Sequence, residues 1–153
     1  MKNVQQITDA LKSLRDLPTW GAGWAGDIAW FQFGQQVQRP HRRGGPRVVG
    51  EYALHISSAW RWCASSGFIR ADETSDLAAL QDLSASKPHF VGAERGPGGA
   101  LVLRFDNGDT LAIDEAPDPE TLEDEVEYWR LLQPGLQTPH LVVSSNGVEW
   151  HEA

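Results

Sequence analysis

Cysteine is nearly absent from this chain. Among 153 residues there is one, Cys63, so an intramolecular disulfide framework and a Cys-rich zinc site are both excluded. Stability must come from a packed core. A chain of this length buries roughly two thirds of the surface its unfolded form exposes, enough for an independent one. Long apolar runs are missing too, since none approaches the ~20 residues a membrane span needs. Residues 1–17 lack the charged-then-apolar order of a signal peptide. The expectation is one cytoplasmic domain over residues 1–153, with no membrane association. Basic residues are also scarce: 13 Lys and Arg stand against 21 Asp and Glu, for a net charge of −8. Phosphate backbones repel such a surface, which argues against nucleic acid and favours a basic protein partner.

What the chain does have is tryptophan, seven in all, and alternating patterns. Residues 50–62 read as one long strand, with Tyr52, Leu54, Ile56, Trp60 and Trp62 on one face and Glu51, Ala53, His55, Ser57, Ala59 and Arg61 on the other. Period-two alternation buries one face and leaves the other to water or a partner. Ahead of it, Val4, Ile7, Leu11 and Leu14 form the apolar stripe of a helix over residues 3–17, with Asn3 as cap and Pro18 as stop. Glycines 21, 23 and 26 lack the lysine and spacing of a phosphate loop; they fit close backbone approach beside Trp20 and Trp24. Residues 28–33 read as a central or covered strand, because both faces are largely apolar. The Arg-rich stretch 39–47, broken by Pro and Gly, reads as a loop between strands.

Further along, residues 67–72 suggest a short returning strand, and residues 73–87 carry only hints of helical turns. Residues 88–114 read as a β-meander. Its Asn107-Gly108 dipeptide suits a two-residue hairpin pairing Arg104 with Leu111, Leu103 with Ala112 and Val102 with Ile113. Residues 114–127 collect eight carboxylates, and Pro117 and Pro119 suit the opening of a short helix there. Strands at 128–132 and 140–143 and a hairpin at Asn146-Gly147 complete a β-rich body over residues 20–150.

Catalytic motifs are thin. No G-x-S-x-G elbow presents a serine, and Cys63 sits between Trp62 and Ala64, the setting of an inert thiol. His55, His89 and His140 come from three strands without metal-ligand spacing, so no metal and no cofactor is expected. An enzyme built on this chain would use the polar face of strand 50–62, with His55, Arg61 and Arg130 as its small-ligand or metal-dependent site. The stronger pattern is electrostatic. Asp118, Glu120, Glu123, Asp124, Glu125 and Glu127 offer a phosphate-like surface, and the adjoining Tyr128 and Trp129 are the residue types that anchor interfaces. A plainer reading of the same run is a solvated helix face.

The elements Gly50-Glu51-Tyr52-Ala53-Leu54-His55 with Trp60-Arg61-Trp62, the hairpin over 99–113, and Glu127-Tyr128-Trp129-Arg130 with His140-Leu141-Val142-Val143 together resemble a group of small uncharacterised bacterial proteins. Their shared layout is YALH…WR…WR…HLVV. Some members are similar to immunity proteins of toxin systems, which implies a non-enzymatic protein-binding role and a basic toxin as partner. The fold expected is α+β: an N-terminal helix packed on a mainly antiparallel, twisted sheet or partly closed β-barrel. The sequence leaves the oligomeric state open.

Overall fold

The computed structural model describes residues 4–25, 28–40, 47–65, 69–72, 82, 85–115 and 126–152. Helix α1 (Val4–Leu11) tightens into a 3-10 turn over Lys12–Leu14. Its stripe is buried as the spacing requires: Ile7, Leu11 and Leu14 are 2%, 1% and 0% exposed. The helix stops short of residue 17. Asp16 adopts φ 66, a left-handed conformation that aspartate tolerates better than most side chains. Its N–H then leaves the helix for Phe90 O at 2.8 Å. The proposed Asn3 cap, the helical turns over most of 73–87 and the helix opened by Pro117 lie outside the described residues.

The strands among the described residues all pair antiparallel, so the α+β class holds. One six-stranded sheet runs β1 (Thr19–Ala25), β2 (Ile28–Phe33), β5 (Tyr52–Ile56), β11 (Glu127–Leu132), β12 (His140–Ser144) and β13 (Gly147–His151) in spatial order. A five-stranded sheet runs β7 (Ile69–Asp72), β6 (Trp60–Cys63), β10 (Thr110–Ile113), β9 (Leu101–Phe105) and β8 (Phe90–Arg95). A separate pair, β3 (Val37–Arg39) and β4 (Arg47–Val49), flanks the Arg-rich loop. No helix among the described residues is long and apolar enough to cross a membrane.

The two sheets face each other across one core. Trp62 stacks on Phe105 at 4.5 Å and on Phe31 at 5.8 Å, while Phe31 meets Trp60 edge-on at 5.4 Å. With Phe33 on Phe105 at 6.5 Å, these contacts join β2 of one sheet to β6 and β9 of the other. Among the described residues no closed barrel forms: the strands make two separate sheets, joined at one margin by an antiparallel bridge between Pro18, just ahead of β1, and His89, just ahead of β8.

The reason lies in the stretch read as one strand. Residues 52–63 are two strands in different sheets, separated at Ser57, Ser58 and Ala59. The N–H groups of Ser57 and Ser58 both donate to Tyr128 O, at 2.8 and 3.2 Å, and Ala59 O accepts from Asp114 N–H at 2.9 Å. The chain thus leaves one layer and enters the other. Leu54, Ile56, Trp60 and Trp62 nevertheless all face the core, at 0%, 0%, 4% and 0% exposure.

The meander is present as β8–β9–β10, but the Asn107-Gly108 hairpin is one residue out of the expected register. Leu111 pairs with Leu103, Ala112 with Val102 and Thr110 with Arg104. The loop has three residues, with Phe105 N–H bonded to Asp109 O at 3.0 Å and Gly108 at φ 88. That is a type I turn followed by a left-handed glycine. A one-residue slip turns side chains to the other face. The observed register sets Leu103 against Leu111, both 0% exposed, whereas the expected one would have set a core leucine against the outward Ala112. Gly23 behaves as its neighbours suggested: a Cβ there would lie 2.6 Å from the Trp30 ring.

Candidate functional site

The richest polar constellation lies on the outer face of the six-stranded sheet. Register aligns Trp30, His55, Arg130, Val142 and Glu149 in one row across five strands, with His140 opposite His151 in the next. Arg130 donates from Nε to Glu127 Oε2 at 2.8 Å and from Nη2 to Oε1. Its Nη1 lies 3.0 Å from His140 Nδ1. A guanidinium only donates, so that nitrogen accepts and His140 is neutral with its proton on Nε2. His151 and Glu149 pair beside it at 3.0 Å.

A bulge makes the cluster possible. Residues 127 and 130, three apart, would point to opposite faces of a regular strand. The register of β11 against β12 shifts between Glu127 and Trp129, and the extra residue, Tyr128, lets Glu127 swing outward to Arg130. Tyr128 and Trp129 are consequently both buried, at 6% and 0% exposure. This corrects their assignment as surface anchors: they fill the core.

Charge and burial set the titration of the cluster. Burial, then the nearby Arg130 and His140, hold His55 below the ordinary imidazole range, with Glu127 opposing. His140 is lowered in the same way, by burial first and then by Arg130. Glu127 is lowered chiefly by its hydrogen bond from Arg130. Both histidines therefore favour the neutral form. Among the described residues no group of histidines, cysteines and carboxylates is arranged to hold a metal ion.

The sequence placed His55, Arg61 and Arg130 together, and only two of them meet. Arg61 is on β6, opposite Ala112 of β10, on the far face of the other sheet. The strand break at 57–59 carried it there. It borders a separate groove of about 370 Å³ with Trp60, Ala100, Val102 and Asp114. His89 is likewise apart from His55 and His140, bridged to Pro18 beside β8. The residue sequence reasoning missed as a site member is Glu127 in its actual role, as the carboxylate that fixes Arg130.

The acidic run connects the two layers, from β10 to β11. Asp118, Glu120, Glu123, Asp124 and Glu125 lie outside the described residues, but both roots are fixed. Glu115 accepts from Arg95 Nη1 at 2.9 Å and from Trp129 Nε1 at 2.8 Å. At the other root Val126 N–H donates to Ser145 Oγ at 3.0 Å and Ser145 N–H to Val126 O at 2.8 Å. Glu115, Tyr128 and Ser145 line one cavity of about 220 Å³, so the roots share a neighbourhood. Burial, then Glu115 and Asp114, raise the Tyr128 phenol above its usual range.

Fold and site define a two-layer antiparallel α+β domain with a charged connection between its layers and a histidine–arginine cluster on one outer face. Comparison with family models, curated proteins and solved structures gives no match.

Proposed function

We propose that this chain is a non-enzymatic, immunity-like protein-binding domain that engages a basic partner through its acidic connection. One observation carries the reading. The carboxylates at the two roots are neutralised within the fold, Glu115 by Arg95 and Glu127 by Arg130. The eleven residues between them hold Asp118, Glu120, Glu123, Asp124 and Glu125 and no lysine or arginine. Their charge has no counterpart inside the segment, which suits an outside one. Complementary potential of this kind accelerates encounter and rejects wrong partners. Glu127, Tyr128 and Trp129 take no direct part in binding; they shape the root. A basic toxin fits this chemistry.

The test is charge reversal at Glu123, Asp124 and Glu125 to lysine, with tagged protein used to retain partners from the native host. The wild type is expected to retain a basic protein in equal amount. The triple variant loses it while keeping its melting temperature, and the wild-type association rate falls steeply with added salt. Undiminished retention by the variant would remove the acidic connection from the account. The enzyme alternative on strand 50–62 fits less well, since Arg61 is elsewhere and Arg130 already commits three of its donors to Glu127 and His140.

A further inference from the structure

Edge strands offer unpaired backbone groups to other chains, and proteins commonly blunt them with bulges, short length, proline, lysine or a covering segment. Of the four ends of the two large sheets, three are blunted. β8 is tied to the segment after α1 by Asp16 N–H to Phe90 O, Phe90 N–H to Leu17 O and Thr19 N–H to Pro88 O, at 2.8, 3.0 and 2.9 Å. β1 and β7 each carry a register irregularity against their inner neighbour. Among the described residues the fourth end, β13, shows no bulge, proline, lysine or covering strand. It pairs with β12 through five consecutive residues without a shift, contains no proline or lysine, and has no strand on its outer side among the described residues. It also carries Trp150, 64% exposed, the most exposed large apolar side chain described.

The two faces of β13 differ. Val148 and Trp150 stand opposite Val143 and Leu141, on the side that faces the core, and Trp150 overhangs it. Glu149 and His151 stand on the outer side and pair with each other at 3.0 Å. These two properties select one occupant and one register. We infer that β13 pairs antiparallel with β13 of a second copy of this chain about a dyad at Trp150, joining two six-stranded sheets into one of twelve. In that register Trp150 meets Trp150 on one face. On the other, Glu149 of each copy lies opposite His151 of its mate, so the internal pair becomes an alternating set of four groups. A dyad at Glu149 would set carboxylate against carboxylate, which cross-strand pairing disfavours. Any register placing Glu149 opposite Trp150 would set the outer face of one copy beside the core side of the other. The closed two-fold arrangement uses up the free edge and ends assembly at the dimer.

Sedimentation equilibrium of the full chain over micromolar to millimolar concentrations tests this. The average mass is expected to rise from the 16.9 kDa of one chain towards twice that value. Because Trp150 is mostly exposed, Trp150→Lys keeps the fold and weakens dimerisation by at least about tenfold. Glu149→His also weakens it, and Glu149→His combined with His151→Glu restores it by exchanging the two sides of each pair. Register is read by cross-linking with diamide as oxidant. Trp150→Cys forms a covalent dimer, since its mate lies directly opposite and within disulfide reach. Val148→Cys does not, its mate being four residues and about 14 Å away along the strands. A mass that stays at one chain throughout overturns the proposal, and leaves the edge to a strand from another protein. So does a dimer indifferent to Trp150→Lys, or equal cross-linking by both cysteine variants.

Discussion

Asp109 offers the sharpest test of how the core is held. It is 2% exposed and stands beside Trp62, which is 0% exposed. Its Oδ2 accepts from Trp62 Nε1 at 2.9 Å, and its Oδ1 accepts from Ser65 N–H at 3.3 Å. Asp109→Ala leaves the indole N–H buried without this acceptor. A hydrogen bond to a charged group contributes about 1.5–3 kcal/mol, and the longer bond to Ser65 about 0.5 kcal/mol more. The expected loss is therefore about 3 kcal/mol, which for a domain of this size lowers the melting temperature by about 6–12 °C. Asp109→Asn keeps one acceptor for Trp62 but turns an amine towards Ser65 N–H if it does so, for a loss of about 1–1.5 kcal/mol. Urea unfolding monitored by far-UV circular dichroism would measure both, and an unchanged denaturant slope would license the comparison. The cause is isolated by adding Trp62→Phe, which removes the donor. In that background Asp109→Ala should cost at least about 1.5 kcal/mol less. A loss below about 1 kcal/mol, or no coupling between the two sites, would refute the assignment.

Two further outcomes follow from the site and the backbone. His55 and His140 have lowered pKa values in the fold, so the unfolded chain binds protons more readily. Their contribution to stability is full above the unfolded value of about 6.5 and is lost as pH falls below it towards the folded values. Urea midpoints measured from pH 8 to about 5 should fall, and His55→Gln with His140→Gln should flatten that fall; an unaltered slope in the double variant would show that other groups set it. At Gly50 a Cβ would lie 2.5 Å from Phe33 O and 2.9 Å from Phe33 N, whereas at Gly92 it would meet nothing within 4 Å. Backbone cannot give way as a side chain does, so Gly50→Ala should cost about 2 kcal/mol or more and Gly92→Ala less than about 0.5 kcal/mol. Thermal melts that rank the two in reverse would contradict the close approach.

Much of this architecture is legible in the sequence because periodicity is local. Ile7, Leu11 and Leu14 announce their helix, and the meander announces itself through its turns. Leu54, Ile56, Trp60 and Trp62 are recognisable as core even though the strand carrying them is broken, because the break spans an odd number of residues and preserves their parity. What is hidden depends on distant partners. The break at Ser57–Ala59 is set by the carbonyl of Tyr128, some seventy residues on, and it decides that Arg61 leaves the company of His55. The outward swing of Glu127 depends on a bulge against β12. His55 and Arg130 are cross-strand neighbours, since both sit on polar phases of their strands. The burial of Tyr128 and Trp129 is not legible beside the acidic run, because adjacency to it says nothing about which way a bulged strand points.

The layer change at Ser57–Ala59 also bears on the order in which the protein is made. Translated from its N-terminus, the chain can pair β1 with β2 and β2 with β5 early, but the far side of β5 belongs to β11. Until residues 127–132 have left the ribosome, β5 is an open margin, and Ser57 and Ser58 lack the carbonyl that bends the chain between layers. The second sheet meets no such delay, since β6 to β10 are all complete by residue 113. The nascent chain therefore reaches the acidic connection with one layer able to close and the other awaiting its centre. That interval is when a chaperone would find an exposed strand margin to hold.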